Sequence, residues 1–200
     1  MNAQSNSLKI VLLGNICVGK TCILLRFSEN VFIEEYQTTI GLNYKVKQMH
    51  LHNKHTVKVQ IWDTSGQERF LSLTKNFLKG SNGAVIVFDI TDRKSFEDLE
   101  QWIESIKENI DIDSLPIVLL GNKVDLDTNR QVSKEEAEHL AKAEKFKYFE
   151  TSSKNNTGIE EAFQYLAEEM YKVTHTNSSS SNKHKIVIND KKKKKKKCCK

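Results

Sequence analysis

The sequence predicts an α/β fold: a six-stranded sheet, mostly parallel with one antiparallel edge strand, and helices on both faces. Three observations carry this. Residues 8–27 read as an apolar strand, a glycine-bounded turn and the start of a helix. Apolar runs then alternate with helical patterns along most of the 200-residue chain, the order that gives parallel strands joined by right-handed crossovers. Two of those runs, 83–89 and 115–121, are almost uninterrupted, which suits strands covered on both faces.

The first strand, 8–13, leads into Gly14-Asn15-Ile16-Cys17-Val18-Gly19-Lys20-Thr21. This is G-x-x-x-x-G-K-[ST] between a strand and a helix, the context that makes the pattern a phosphate-binding loop. Backbone N–H groups of the turn and the positive end of the helix cradle a di- or triphosphate. Lys20 brings a cation to the outer phosphates, and Thr21 offers a hydroxyl to Mg²⁺. Ile16 is out of keeping, a bulky β-branched residue where the loop must lie close to the phosphates.

A helix is expected over 20–28, then a polar stretch from Ser28 to Gly41. Residues 44–51 and 56–62 alternate in polarity across the short joint Asn53-Lys54-His55, a hairpin. Phe96, Leu99, Trp102, Ile103 and Ile106 recur at helical spacing between the two continuous apolar runs. Ser133 caps a helix over 133–144, with Glu136 completing a capping box. Residues 146–151 form the last strand and 158–173 the last helix. The apolar positions of all these elements are read as core.

Composition bounds the rest. The chain has the length of one domain plus extras, no apolar run of membrane-spanning length, and an N-terminus without signal-peptide character or a Gly at position 2. Net charge is +5, but eight lysines lie in residues 191–200, so residues 1–190 carry −3. The basic character belongs to a tail, which argues against a nucleic-acid-binding face on the folded part. The four cysteines, Cys17, Cys22, Cys198 and Cys199, show neither zinc spacing nor a disulfide framework, as expected in a reducing compartment.

In a parallel sheet, ligands bind beyond the carboxyl ends of the strands, and three more motifs fall there. Asp63-Thr64-Ser65-Gly66-Gln67-Glu68-Arg69-Phe70 follows the strand ending at Trp62. Asp63 can hold Mg²⁺ through a water, Gly66 can bring its N–H to a γ-phosphate, and Gln67 can orient a water for in-line attack. Asn122-Lys123-Val124-Asp125 selects the base. The Asp125 carboxylate can accept from guanine N1–H and the N2 amine, a pair adenine lacks, while Asn122 braces the loop and the Lys123 stem lies along the purine. Thr151-Ser152-Ser153-Lys154 follows the last strand, with the Ser153 N–H facing guanine O6 and Lys154 covering the ring. In the polar stretch, Thr39 is a candidate second Mg²⁺ ligand, available only when a γ-phosphate holds that loop closed.

These residues resemble the small GTPases of the Ras superfamily and, within it, the Rab family. The resemblance covers residues 8–173 and the terminal cysteines, and rests on Thr39-Ile40-Gly41, the run from Trp62 to Phe70, Phe88-Asp89-Ile90-Thr91 and Gly121-Asn122-Lys123-Val124-Asp125-Leu126. It implies a P-loop NTPase-type three-layer sandwich, Mg²⁺ as cofactor and GTP or GDP as ligand. Nucleotide contacts are then expected from Gly14, Asn15, Ile16, Cys17, Val18, Gly19, Lys20, Thr21, Cys22, Phe32, Tyr36, Thr39, Gly66, Asn122, Lys123, Asp125, Ser152, Ser153 and Lys154. Metal ligands are expected at Thr21, Thr39 and Asp63, with catalysis by Gln67 and Lys20. Phe32 is to stack edge-on against guanine. Ile40, Gly41, Tyr44, Trp62 and Phe77 correspond to the effector surface, with Tyr44 where the family usually has Phe. Ser65 stands where Ala is most common, and Ile16 where a small residue is usual.

The expected organisation is a flexible N-terminus over 1–7, a GTP-binding domain over 8–174 and a variable tail over 175–200. In the tail a Ser/Asn linker and the apolar island Ile186-Val187-Ile188 precede Lys191–Lys197 and Cys198-Cys199-Lys200. The ending is not a C-a-a-X box. The resemblance implies a prenyl group on each of Cys198 and Cys199, and one lipid chain needs a second chain or a basic patch for stable anchoring. It further implies an exchange factor, an activating protein, effectors, a GDP-dissociation inhibitor and a Rab escort protein as partners. The place of work is the cytoplasmic face of an endomembrane or plasma membrane, with a cytosolic pool. Three functions are weighed: a trafficking switch that hydrolyses GTP slowly, a GTP-binding module that recruits effectors with little turnover, and a P-loop ATPase or nucleotide kinase with a basic nucleic-acid tail. Asn122-Lys123-Val124-Asp125 counts against the third.

Overall fold

β1 (Ser7–Leu13) is followed by α1 (Lys20–Glu29), β2 (Asn43–His50), β3 (Thr56–Asp63), β4 (Gly83–Asp89), α2 (Arg93–Glu97), α3 (Leu99–Asn109), β5 (Ile117–Asn122), α4 (Lys134–Ala143), β6 (Lys147–Thr151) and α5 (Ile159–Ser179). This is the computed structural model of the chain, which describes residues 7–34, 43–64 and 78–179. The strands form one sheet in the order β2-β3-β1-β4-β5-β6. All neighbouring pairs are parallel except the β2–β3 hairpin, so the expected six strands with one antiparallel edge are observed.

Period-two alternation divides the core between the two faces. Ile10, Leu12, Ile61, Val85, Val87, Val118 and Leu120 pack with Ile23, Leu24 and Phe27 of α1 and Phe163, Leu166 and Met170 of α5. On the other face Val11, Leu13, Ile86, Phe88 and Leu119 meet Leu99, Trp102, Ile103 and Ile106 of α3 and Ala137 and Ala141 of α4. Every residue of β4 and β5 is buried, because helices cover both sides of these strands. A one-residue slip would turn each set of side chains to the wrong face, so the register is strongly determined.

That register lines up the motifs. Leu12 lies opposite Asp63 of β3, while Asn122 lies opposite both Asp89 of β4 and Thr151 of β6. The chain therefore turns out of the sheet at Asp63, Asp89, Asn122 and Thr151 along one carboxyl edge.

Three local features differ from the sequence expectation or refine it. The helical pattern through Phe96 and Ile106 is two helices, with Asp98 (φ −74°, ψ −6°) as C-cap of α2 and N-cap of α3. The fifth strand starts at Ile117 rather than Leu115, behind a 3-10 turn over Ile112–Ser114; Pro116 lends its carbonyl to the Ala84 N–H but has no N–H of its own to pair. The last helix continues to Ser179, beyond Val173. There the Thr174 hydroxyl donates to the Met170 carbonyl, and the Tyr171 and His175 rings stack 3.8 Å apart. The α4 capping box is complete: the Glu136 N–H donates to Ser133 Oγ, and the Ser133 N–H donates to the Glu136 carboxylate, both at 3.1 Å.

A candidate nucleotide site at the carboxyl edge of the sheet

The loop between β1 and α1 needs its glycines. Gly14 has φ +131°, and a Cβ there would lie 2.1 Å from the Val87 carbonyl oxygen. Gly19 has φ +95°, and its Cβ would lie 2.4 Å from Asn122 Nδ2. Only glycine permits both the conformation and the approach. Between them Cys17 takes φ +65° without being glycine. Gly19 caps α1 without a side chain, so the first N–H groups of that helix face the loop. Lys20, the first residue of α1, is buried, and its ammonium donates to the Gly14 and Asn15 carbonyls at 2.7 and 2.6 Å. The cation is thereby folded over the loop that precedes it.

The neighbouring residue reaches across to β3. Thr21 Oγ1 donates to Asp63 Oδ2 at 2.6 Å. Asp63 is fully buried, and its Oδ1 has no hydrogen-bond partner among the described residues. Burial pushes its carboxyl pKa above the usual range, against the Thr21 hydrogen bond and the nearby Lys20 ammonium. A buried carboxylate with one open oxygen beside a hydroxyl is a donor set for a hard divalent cation, so the residues present fit Mg²⁺. The Thr64 hydroxyl donates to the Leu12 carbonyl at 2.9 Å, tying the exit of β3 to the end of β1.

Asn122 and Asp125 organise the other half. Asn122 is buried; its Nδ2 donates to the Val18 carbonyl of the phosphate loop at 2.9 Å, and its Oδ1 accepts from Thr151 Oγ1 at 3.2 Å. One amide thus joins three loops. Lys123 sits in the left-handed region (φ +68°), with its ammonium 2.6 Å from Asp89 Oδ2. Asp125 Oδ1 accepts from Ser152 Oγ at 2.5 Å, and Ser152 Oγ in turn accepts from the Asn155 N–H at 3.0 Å. Ser152 and Ser153 are buried, whereas Lys154 is exposed and pairs with Glu34 at 3.3 Å. Phe32 is half-buried, 5.9 Å from the Arg26 guanidinium.

Ile16 projects from the loop with 38% of its surface exposed. Cys22 lies half-buried one turn into α1, its thiol pKa raised by burial against the pull of Lys123. Tyr44 is exposed and stacks on Trp62, ring centroids 5.3 Å apart. Tyr36, Thr39, Ile40, Gly41, Gly66, Gln67, Phe77, Cys198 and Cys199 lie outside the described residues.

Some roles in the site escaped the sequence reading. Asp89, read there only as part of a family motif, closes an otherwise apolar strand and fixes Lys123. Asp98 and Trp102, which hold the Asn15 side chain, gave no signal of that role.

Residues 9–172 match the family model described as the Ras family, which covers most of the chain. The chain belongs to the Ras family. Its Rab members are close relatives. Ras-related protein Rab-13 of Rattus norvegicus is 42% identical over 168 residues, 84% of this chain and 82% of that protein. Rab-10 of Diplobatis ommata is 43% identical over 166 residues, covering 83% and 82% of the two chains, and Rab-8B of Pongo abelii 44% over 162 residues, covering 81% and 77%. The Rab resemblance read from the motifs therefore holds over the folded part of the chain. Among the described residues, no helix is long and apolar enough to cross a membrane.

Proposed function

We propose that this Rab-like chain binds Mg²⁺ with GTP or GDP at the carboxyl edge, hydrolyses GTP slowly and acts as a membrane-anchored switch in vesicle trafficking. The observation that carries the reading is Asp125: its carboxylate, held by Ser152, stands on the same sheet edge as a complete phosphate loop, and Asn122 joins the two. That carboxylate accepts from guanine N1–H and N2, while the Ser153 N–H serves O6 and Phe32 closes the ring edge. With adenine the Asp125 carboxylate would be left unpaired, at a cost of several kcal/mol in discrimination.

At the phosphates, Lys20 supplies positive charge from within the loop. Thr21 and Asp63 would hold Mg²⁺, with Thr39 as further ligand on the family resemblance, and an ion held there would supply positive charge against the outer phosphates. Gly66 donates its N–H to the γ-phosphate and Gln67 orients the attacking water. The exposed Ile16 side chain supports slow turnover, because a bulky residue where the family usually has a small one would crowd Gln67 and an arginine supplied by an activating protein. The same observation favours the second reading, an effector-recruiting GTP-binding module with little or no hydrolysis. In both, the exposed Tyr44, stacked on the half-buried Trp62, and Phe77 meet effectors. Prenylated Cys198 and Cys199 with Lys191–Lys197 hold an anionic membrane, and exchange factor, activating protein, GDP-dissociation inhibitor and escort protein act on the cycle.

Competition against fluorescent GDP tests the base assignment: GTP displaces it and ATP in large excess does not. Equal displacement by ATP refutes the guanine reading.

A further inference from the structure

We propose that Arg26 is a positioning residue of the base pocket and sets how long nucleotide stays bound. The proposal rests on the guanine-site reading above and extends it to a residue outside the nucleotide motifs. Arg26 lies in the last turn of α1 and is half-buried. Its guanidinium grips two segments far apart in the chain. Nε donates to the Ser153 carbonyl at 2.7 Å and Nη2 to the Lys154 carbonyl at 3.2 Å. Nη1 donates to the Asn30 carbonyl and to Asn30 Oδ1, at 3.0 and 3.1 Å. The Phe32 ring centroid is 5.9 Å from Cζ.

Two further contacts close the same seam. Asn156 Nδ2 donates to Asn30 Oδ1 at 3.4 Å, and the Lys154 ammonium is 3.3 Å from Glu34 Oε1. Residues 30–34 and 153–156 are thus fastened to each other with Arg26 as the common bolt. These are the segments that flank guanine in the proposed site, Phe32 on one and Ser153 and Lys154 on the other.

The chemistry requires arginine. Each peptide unit is planar, so pinning the Ser153 and Lys154 carbonyls fixes two successive planes beside the Ser153 N–H that serves guanine O6. Asn30 is the left-handed C-cap of α1 (φ 56°), and gripping it sets the direction in which the chain leaves toward Phe32. A guanidinium offers five N–H donors in one rigid plane, whereas an ammonium is a point charge on a flexible stem. Nucleotide leaves when the two segments part, and Arg26 opposes the parting.

The test is release of fluorescent GDP from the full-length chain, chased with excess GDP, in Mg²⁺ and in EDTA. Loss of charge-assisted hydrogen bonds of this kind corresponds to about tenfold or more in rate. We expect Arg26→Ala to release GDP about tenfold faster in both conditions, and Arg26→Lys to be about threefold or more faster than the unmodified chain. The acceleration by EDTA stays as in the unmodified chain, because Thr21 and Asp63 are untouched. Lys45→Ala, which removes the Lys45–Glu29 pair at the same helix end, serves as control. A merely structural role for Arg26 predicts that release tracks melting temperature in both variants alike, and that result overturns the proposal. So does release from Arg26→Ala within about twofold of the unmodified chain. Should Arg26→Ala not fold, Arg26→Lys decides alone by the same criterion. ATP competing as well as GTP against the unmodified chain would remove the guanine reading, while the release rates would still judge Arg26.

Discussion

The Asn15 side-chain amide donates to Asp98 Oδ2 at 2.8 Å, joining the phosphate loop to the junction of α2 and α3. Both residues are buried, and so is Trp102, whose Nε1 donates to Asn15 Oδ1 at 2.8 Å. Asp98 Oδ1 in turn accepts from Lys94 Nζ at 2.5 Å. One asparagine in the loop therefore satisfies a buried carboxylate and a buried indole at once.

Removing it leaves both without that partner. Asn15→Ala should destabilise the protein by about 2–3 kcal/mol, the scale for stranding buried polar groups when one of them is charged. Denaturant unfolding of the GDP-loaded chain checks this; a midpoint unchanged from the unmodified protein would show that the loop repacks without cost.

Asp98 also gives a pH dependence. Burial pushes its carboxyl up, but hydrogen bonds from Lys94 and Asn15 and the Lys94 charge outweigh it and hold the pKa below the ordinary value. A depressed carboxyl contributes stability that is fully present above the unfolded value of about 3.9 and is lost as pH falls through the folded pKa. The unmodified chain should exceed Asp98→Asn in stability at neutral pH, and the gap should narrow below about pH 4. Urea midpoints of both proteins across that range measure it, other carboxylates being common to the pair.

Asp63 has the opposite sign. Its pKa is raised, chiefly by burial, so its ionisation costs stability as pH rises above the unfolded value, and a bound cation offsets that cost. Asp63→Asn should leave the metal-free protein as stable or more so while abolishing most of the difference in GDP release between Mg²⁺ and EDTA. Full retention of that difference would remove Asp63 from the metal site.

Ile16→Gly should speed hydrolysis. An arginine supplied in trans contributes about 10³–10⁵ in rate where it has access, so the gain should be largest with an activating protein present and GTP affinity should hardly move. Single-turnover hydrolysis that is the same for both chains, with and without activating protein, would assign the slow rate to another cause.

Changing Cys198 and Cys199 together to Ser should shift the protein from membranes to cytosol, read by fractionation of expressing cells. Continued sedimentation with membranes would count against lipid anchoring at these positions.

The sequence by itself determined what is written in short range. The glycines, Lys20 and Thr21 of the phosphate loop are separated by fixed local offsets, the Ser133–Glu136 capping box spans one helical turn, and period-two alternation assigns each strand residue to a face. The apolar runs at 83–89 and 115–121 announced strands buried on both sides, and the motifs after them announced where the chain turns. Only the tertiary structure decided which distant groups meet. Asn15 finds Asp98 and Trp102, Lys123 finds Asp89, and Arg26 finds Ser153 and Lys154 across separations of 83, 87, 34, 127 and 128 residues. The break at Asp98 likewise interrupts a pattern that reads as one continuous helix. No local period encodes such pairs, because each exists only when the parallel register brings several loops to the same edge and burial then leaves their polar groups no partner but one another.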